Sequence, residues 1–334
     1  MSTPTRPLTF FIIVLCGAWL LALPTWAQEG EGSIERVIVI SIDGIRNSDG
    51  FGDPNCQGLG DVNNCLLKNL AEYVLPEGTL YTSEPGTKGS AFVNNAATWT
   101  TPGHEMLLTG VRAVGPNIGT SLDLRPFRPT IFERLRKELN WSSEEVVAVV
   151  SKPNVTQIDY SLDPIHGKDY GATLYFVPSG DWAVEDVGVA TWGRCLMRGF
   201  LPDNTLEACD PTQVVPLPRF LFLHFGGVDN QGHLDWRFNF YKGAIAQVDE
   251  QIFTKIWSEL CDKPDADTCA DQGQNPHFRR NNTALFVTTD HGRESFTVLK
   301  HGGLDWANRA IFLLAAGPGI PRGQVITNVP QGNV

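Results

Sequence analysis

Three short apolar runs, each followed closely by an aspartate, most constrain the fold of this 334-residue chain. The runs 36–42, 220–225 and 283–289 are rich in β-branched and aromatic residues, a composition typical of buried strands in a parallel sheet. A carboxylate follows each run closely: Asp43, Asp229 and Asp290. Because open α/β sheets bind ligands beyond the carboxyl ends of their strands, the pattern predicts one site to which all three aspartates contribute.

The rest of the chain supports the same architecture. Two more strand-like runs and two helix-like segments, the first opened by a proline, are present: 146–150, 310–315, 129–135 and 241–260. Strands that alternate with helices predict an α/β fold with a mostly parallel, doubly wound sheet flanked by helices. Two stretches rich in glycine, asparagine or proline, about 47–87 and 171–218, are expected to be insertions that form loops or a small cap over the site.

The N-terminus is typical of a secretory signal peptide over residues 1–27. Arg6 precedes an apolar run over 8–23, and small residues stand before Gln28. The apolar run is shorter than the roughly 20 residues that a spanning helix needs, so we expect no membrane span after signal removal. The sequence therefore predicts a periplasmic or secreted protein whose catalytic domain covers residues 28–334.

The cysteines fit this location. Six remain once the signal peptide is removed, and an even number in an exported chain predicts three disulfides. The cysteines lie in three local couples, which favours the pairs 56–65, 195–209 and 261–269 over the other connectivities. The sequence contains no Cys-x-x-Cys motif, so nothing suggests a metal site built from cysteines.

The charge of the chain limits its partners. A formal net charge of −11 disfavours nucleic acid and anionic membranes, and we expect no nucleic-acid binding. A substrate that carries phosphate must then be attracted locally, by metal ions or by a few cations. The sequence makes no prediction of the oligomeric state.

A threonine-centred motif and several metal-ligand clusters indicate the chemistry. Thr100 is followed by Pro102 and His104, and the segment closes at Thr109-Gly110. Aspartates and histidines accompany it in spaced clusters: Asp43, Asp229 with His233, Asp290 with His291, and His301. These are ligands that zinc prefers, and a threonine among them is the nucleophile that a two-metal phosphoryl-transfer site needs.

Taken together, these motifs resemble the alkaline phosphatase superfamily, particularly its nucleotide pyrophosphatase/phosphodiesterase-like (type I phosphodiesterase) branch. There a threonine or serine lies two residues before a proline, and a Thr-Gly pair follows. The resemblance covers roughly residues 34 to 320. It implies an alkaline-phosphatase-like fold, two zinc ions rather than manganese or another divalent metal, and phosphoric ester hydrolysis through a phospho-threonine at Thr100.

The resemblance also implies roles for individual residues. It assigns one metal ion to Asp229, His233 and His301. It assigns the other to Asp43, Asp290, His291 and the hydroxyl of Thr100. It suggests substrate contacts from Asn117, as a hydrogen-bond donor to a phosphoryl oxygen, and from Lys152, which is similar to a lysine of periplasmic phosphomonoesterases. His104 is expected to be structural or to support a ligand, and His224 and His166 to be core or loop histidines.

Interpretations without chemistry remain open for several of these residues. Thr100 could be a helix N-cap, a role for which Thr101 competes. Asp43 could be a turn residue. Asp229 and His233 could lie on a polar loop, although their spacing also fits one helical turn.

The sequence therefore predicts an exported two-zinc phosphoric ester hydrolase that acts on a small phosphate ester or a nucleotide-like substrate. Diesters are favoured because no arginine clamp for a dianionic phosphate is apparent. The alternatives are an alkaline phosphomonoesterase, a phosphoethanolamine-type transferase and, in a different class, a non-catalytic zinc-binding protein. A sulfatase is disfavoured because members of that branch carry Cys or Ser in place of Thr100 and arginine in place of His104. Relatives continue into a further helix where this sequence ends, which indicates a fragment or a trimmed domain.

Overall fold

The computed structural model describes residues 33–51, 65–83, 91–95, 97–113, 125–178, 181–234, 239–260 and 277–327. Contacts divide the chain into Met1–Glu31 and Gly32–Val334, and the fold described here is that of the second unit. The predicted signal peptide lies outside the described residues and stays a prediction. Within the described ranges, no helix combines the length and the apolar character needed to cross a membrane.

An eight-stranded sheet forms the centre of the fold. The strands of the described residues are, in chain order, β1 (Arg36–Ile42), β2 (Gly78–Tyr81), β3 (Val146–Val150), β4 (Thr173–Phe176), β5 (Phe200–Pro202), β6 (Cys209–Val214), β7 (Phe220–Phe225), β8 (Thr283–Thr288), β9 (Leu313–Ala316) and β10 (Gln324–Ile326). The order in the sheet is β10-β2-β9-β8-β1-β7-β3-β4, and β5 pairs with β6 separately. Neighbouring strands of the sheet are parallel except on the two sides of β9. The predicted mostly parallel α/β fold is confirmed.

Helices connect the strands. They are α1 (Asn47–Gly50), α2 (Thr100–Thr109), α3 (Ile131–Glu138), α4 (Trp182–Met197), α5 (Gly227–Leu234), α6 (Asn239–Lys255) and α7 (Trp306–Arg309). A π-helical turn covers Leu70–Val74, and 3-10 turns cover Leu75–Glu77, Pro153–Ile158, Lys168–Tyr170 and Trp257–Glu259. The N-cap of α3 is Thr130, which forms a capping box with Glu133, so the proline of the predicted start lies one residue before the cap.

Apolar side chains on both faces of the sheet bury it between two layers of helices. Along β3, Val147 and Val149 join the larger core with residues of α4 and α6. The alternating residues of β3 join a second core with Leu108 of α2 and Phe132 of α3. Side chains alternate between the two faces of a strand. A strand that is covered on both faces therefore needs apolar residues at every position.

The structure corrects parts of the predicted organisation. The predicted strand 310–315 corresponds to β9, which begins at Leu313 and is antiparallel to both of its neighbours. The stretches 47–87 and 171–218 are loops only in part, because β2 and β4 lie in the central sheet and α4 packs on its face. Propensity rules identified these stretches by their turn residues and missed the short strands between them.

One of the predicted disulfides is confirmed. Cys195 near the end of α4 is bonded to Cys209 at the start of β6, which fastens the separate β5–β6 hairpin to the helix layer. Cys65 is also disulfide-bonded. Cys56, Cys261 and Cys269 lie outside the described residues, so the pairs 56–65 and 261–269 stay predictions. The confirmed bond fits a protein that matures in an oxidising compartment.

Candidate metal centre

The site lies where the carboxyl ends of the central parallel strands meet. Asp43 directly follows β1, and Asp290 lies two residues beyond β8. β7 leads into α5, which carries Asp229 and, one helical turn later, His233. Ser41 on β1 is level with residues near the ends of both neighbouring strands, so the three strands stop at the same edge. The predicted convergence of the three aspartates therefore rests on strand register.

Asp229, His233 and His301 form the first cluster, which we call the open half. Nε2 of His233 lies 3.4 Å from Asp229 Oδ2, and Nε2 of His301 lies 3.4 Å from Asp229 Oδ1. The two imidazole Nε2 atoms are 3.0 Å apart. The His233 side chain is 46% exposed, whereas Asp229 is buried. These three side chains are the ones that the sequence assigned to one metal ion.

Hydrogen bonds to backbone carbonyls set the orientation of the imidazoles in the open half. Nδ1 of His233 lies 3.1 Å from the carbonyl oxygen of Leu299, and Nδ1 of His301 lies 3.0 Å from that of Thr98. A carbonyl oxygen only accepts, so in each neutral ring Nδ1 carries the hydrogen and Nε2 presents a lone pair. Burial and the neighbouring His291 lower the pKa of His301 to about 3, which keeps that ring neutral at pH 7.

Asp43, Asp290, His291 and Thr100 form the second cluster, which we call the buried half. Nε2 of His291 lies 3.5 Å from Asp43 Oδ1 and 3.3 Å from Asp290 Oδ2. The hydroxyl of Thr100 donates to Asp43 Oδ1 at 3.3 Å. The side chains of Asp43, Asp290 and His291 are inaccessible to solvent. Nδ1 of His291 contacts the carbonyl oxygen of Gly292 at 2.8 Å, so Nε2 again presents the lone pair.

The donor atoms of both halves fit a bound cation. In their neutral forms the two imidazoles of the open half turn lone pairs toward each other at 3.0 Å, where one cation could bind both. In the buried half, Asp290 Oδ2 and His291 Nε2 have no hydrogen-bond partner among the described residues. Ligands of a tetrahedral zinc ion at its usual bond lengths are about 3.4 Å apart, which is close to the spacings observed here. Histidines held through Nδ1 by carbonyls are typical of metal ligands.

The groups of possible ligands agree with the predicted assignment in one half and differ in the other. Asp229, His233 and His301 offer atoms within 4.8 Å of one another, as predicted. Asp43 and His291 form such a group with Asp229 rather than with Asp290. Asp229 thus lies between the halves, and the division of ligands between two metal ions stays a prediction, as does the identity of the metal.

Thr100 is the first residue of α2. The N-cap is Trp99, whose side chain makes no capping hydrogen bond, so the N-cap interpretation of Thr100 is wrong. Gly103 allows α2 to approach the β8 end, because a Cβ there would lie 2.6 Å from the carbonyl oxygen of Asp290. His104 supports this contact from inside, with Nδ1 3.3 Å from Asp290 Oδ2 and Nε2 3.0 Å from Ser41 Oγ. These contacts fit the structural role expected for His104.

Lys152 joins the two halves. It lies two residues after β3, and its Nζ is 3.0 Å from Asp43 Oδ2 and also contacts Asp229 Oδ2. Burial alone would lower the pKa of Lys152, but Asp229 and Asp43 raise it above its usual value. Burial alone would raise the pKa of Asp43, but Lys152 lowers it below its usual range. The predicted contact of Lys152 with substrate stays a prediction, and Asn117 lies outside the described residues.

Known proteins match this chain in structure but not in sequence. No protein-family model and no curated protein matches the chain. Among solved structures, murine ectonucleotide pyrophosphatase/phosphodiesterase 5 is similar to it, with a TM-score of 0.50, 13% identity, and coverage of 87% of this chain and 90% of the murine chain. A putative sulfatase from Bacteroides thetaiotaomicron has a TM-score of 0.51 and 13% identity, over 88% of this chain and 66% of that one. A 2-O GAG sulfatase has a TM-score of 0.50 and 14% identity, over 88% and 65%.

The chain has the fold of the alkaline phosphatase superfamily. At these low identities the structural similarity establishes the fold only. The reaction must be inferred from the side chains of the site. In this fold, Asp43 and Asp290 lie just beyond the ends of β1 and β8, and Asp229 lies on the helix that follows β7.

Two residues at the centre of this superfamily fold were not assigned by the sequence interpretation. His224 was expected to be a core or loop histidine, yet its Nε2 lies 3.1 Å from Asp43 Oδ2. The sequence could have indicated this role only through the pairing of His224 on β7 with Ser41 on β1. That pairing is known only once the strand register is known. Asp43, His104 and His224 form a further group of possible ligands, although both histidines already have hydrogen-bond partners.

Arg293, the second unassigned residue, is fully buried beside the open half. Its Nη2 contacts Asp229 Oδ1, its Nη1 contacts the carbonyl oxygen of Val298, and its Nε donates to the carbonyl oxygen of Gly44 at 3.0 Å. Gly44 has φ +68°, and a Cβ there would lie 2.5 Å from Asp229 Oδ1. Arg293 therefore connects the end of β1, helix α5 and the loop that carries His301. In the sequence, only its position directly after Asp290-His291-Gly292 indicated that Arg293 lies near the site.

Proposed function

We propose that this protein is an exported, two-zinc phosphoric ester hydrolase of the phosphodiesterase type that uses Thr100 as its nucleophile. The observation that carries the proposal is the position of the Thr100 hydroxyl. It lies at the start of α2, 3.3 Å from Asp43 Oδ1, in the buried half, where the imidazole of His291 faces two buried carboxylates. A helix start also presents backbone N–H groups to a bound phosphate.

The side chains of the centre have distinct tasks in this reaction. Zinc ions bound to the two halves would lower the pKa of the Thr100 hydroxyl and shield the charge of the phosphate. Thr100 Oγ1 loses its proton to water and forms a bond to phosphorus while the bond from phosphorus to the leaving ester oxygen breaks, and that oxygen takes up a proton from water and leaves as an alcohol. Water then adds to phosphorus, the bond to Oγ1 breaks, Thr100 regains its proton, and the remaining phosphate product departs.

Lys152 and Asp43 hold the nucleophile in its starting position. Because the ammonium of Lys152 lowers the pKa of Asp43, that carboxyl stays ionised and accepts the hydrogen bond from Thr100 throughout the neutral range. The carbonyl of Thr100 is held by Nδ1 of His104 at 2.8 Å, which limits rotation of the helix start. These contacts position the attacking oxygen before substrate arrives.

The distribution of cations favours diesters over monoesters. A monoester presents a dianionic phosphate, which calls for free positive side chains. Lys152 is shared by Asp43 and Asp229, and Arg293 is engaged by Asp229 and two carbonyls, so neither cation at this centre is free. The murine protein of similar structure is named a pyrophosphatase/phosphodiesterase, which supports this preference. Threonine at position 100, where sulfatases carry Cys or Ser, disfavours sulfate esters.

The proposal is tested with three nitrophenyl substrates: bis-nitrophenyl phosphate, nitrophenyl phosphate and nitrophenyl sulfate. We expect zinc-loaded protein to hydrolyse the diester fastest and the sulfate slowest, and a chelator to abolish turnover until zinc is restored. Phosphate transfer to an added alcohol in place of water would instead indicate a transferase. Absence of turnover on all three substrates with zinc bound would leave a zinc-binding protein without catalysis.

A further inference from the structure

A cleft of about 590 Å³ adjoins the metal centre on the side of β3 and β4. Lys152 forms part of its wall, and the same ammonium contacts Asp43 and Asp229. Asn230, the residue after Asp229, forms another part of the wall. The cleft therefore shares Lys152 with the site at which a phosphate would react, and it offers room for one of the groups esterified to that phosphate.

The charged group that belongs to the cleft itself is a carboxylate. Glu185, on α4, lines the cleft and is only 5% exposed. Asn230 Nδ2 donates to its Oε2 at 2.9 Å. Among the described residues no lysine, arginine or histidine forms an ion pair with Glu185, and Lys152 is already shared by two other carboxylates. Burial raises the pKa of Glu185, and the hydrogen bond from Asn230 and the charge of Lys152 offset this rise only in part.

The remaining walls are apolar and partly open to solvent. The side chain of Phe176, at the end of β4, is 38% exposed and lines the cleft together with Pro153 and Pro178. An aromatic face attracts cations through its quadrupole, and a buried carboxylate gains from a cation that replaces its lost hydration. An anionic substituent, such as a second phosphate, would meet Glu185, and no free cation among the described residues that line the cleft would offset the repulsion.

We propose that this cleft binds a positively charged amine carried by one ester substituent of the phosphate substrate. The proposal rests on the proposed function, because it names the class of substrate that the same centre would hydrolyse. Glu185 supplies the opposite charge, Phe176 the aromatic face, and the two prolines an apolar surface for a short stem. The acidic balance of the chain, −11 in formal charge, favours such a substrate at longer range.

Two diesters that differ in one charge test the proposal. Nitrophenyl phosphorylcholine and nitrophenyl 3,3-dimethylbutyl phosphate have nearly the same shape, but the second is neutral at the choline position. We expect kcat/KM to be about tenfold higher for the choline diester. Equal values for the two diesters, or a preference for the neutral one, would overturn the proposal and indicate a cleft selected by shape or by hydroxyl groups.

Variants of the cleft assign the effect to its residues. In Glu185→Gln, which keeps the size of the side chain, we expect the preference to fall to about one, and in Phe176→Leu to fall by a few fold. Glu207→Gln removes the same charge at an exposed position and should keep the full preference. Circular dichroism checks that each variant is folded. A preference that survives in folded Glu185→Gln would contradict the role of the carboxylate.

A binding measurement separates this proposal from the proposed function. Calorimetric titration with choline should show binding to wild-type protein and weaker binding to Glu185→Gln, while 3,3-dimethylbutanol should not bind. Choline binding without hydrolysis of any ester would support the cleft and reject the hydrolase. Ester hydrolysis without choline binding and without charge preference would support the hydrolase and reject the cleft.

Discussion

The open half and the buried half use the same ligand types in different surroundings. In the buried half, Asp43 is already held by Thr100, Lys152 and His224, so its geometry is set by the protein. In the open half, two imidazole lone pairs face each other, and His233 is almost half exposed. A carboxylate buried among partners is part of the folded structure, whereas neutral histidines whose lone pairs converge need a cation between them.

Asp229 connects these two environments. It contacts His233 and His301 on one side and Lys152 on the other, and Arg293 holds its Oδ1. Burial alone would raise the pKa of Asp229, but Lys152 and Arg293 lower it well below its usual value. The two fixed cations thus keep a carboxylate ionised where the halves meet. We expect the halves to differ in how they lose metal and in how much they contribute to stability.

The largest expected effect concerns the nucleophile of the buried half. Thr100→Val keeps the shape of the side chain but removes the oxygen, and we expect kcat on bis-nitrophenyl phosphate to fall at least about a thousandfold. Thr101→Val is the matched control. The Thr101 hydroxyl is buried without a hydrogen-bond partner among the described residues, so its removal should change the rate little. Comparable rates for the two variants would contradict the assignment of Thr100.

Metal content should separate the halves next. We expect His233→Ala to retain about one zinc per chain where the wild type holds about two, because the open half loses one of its imidazoles. His166→Ala, which removes a histidine distant in sequence from the predicted ligands and paired with Glu138 and Asp163, is the control and should hold the wild-type amount. Elemental analysis after gel filtration gives the measurement. Full zinc content in His233→Ala would remove the open half from the proposed centre.

Stability in the absence of metal should show the opposite order. In chelated protein, Asp43→Asn leaves Lys152 and His224 with a weakened partner in a fully buried network, and we expect unfolding free energy to fall by about 3 kcal/mol. His233→Ala removes a partly exposed side chain, so its cost should stay below about 1 kcal/mol. Urea unfolding followed by circular dichroism compares them. Equal losses would contradict the difference between the halves.

The contrast between local and long-range information explains what the sequence could predict. The strand runs and the carboxylates behind them are local patterns, and the ends of parallel strands meet by rule, so Asp43, Asp229 and Asp290 were predictable. His224 and Arg293 acquire their roles only from strand register and from the packing of α5 against the β8 end. The reversed strand β9 and the short strand β2 are likewise fixed by partners distant in sequence. Tertiary pairing overrides weak local preference in such segments.

The smallest expected effect concerns Asp186, which supports the start of the helix that carries the open half. Its Oδ1 accepts from the N–H of Gly227 at 3.1 Å, and its Oδ2 has no hydrogen-bond partner among the described residues. Burial raises the pKa of Asp186 from 3.8 to about 8. The folded chain therefore keeps this proton up to about pH 8, whereas the unfolded chain releases it near pH 4. Unfolding releases a proton between these values, so this carboxyl lowers stability as the pH rises.

Asp186→Asn should remove that dependence, because an amide does not titrate and its oxygen can still accept from Gly227. We expect the variant to match the wild type near pH 4 and to be more stable by about 1 kcal/mol or more at pH 8. Urea unfolding at a series of pH values measures the difference between the two proteins, which cancels the contribution of other titrating groups such as Asp249. A difference that is constant with pH would show that Asp186 ionises normally in the folded chain. Support of the open half would then come from hydrogen bonding alone.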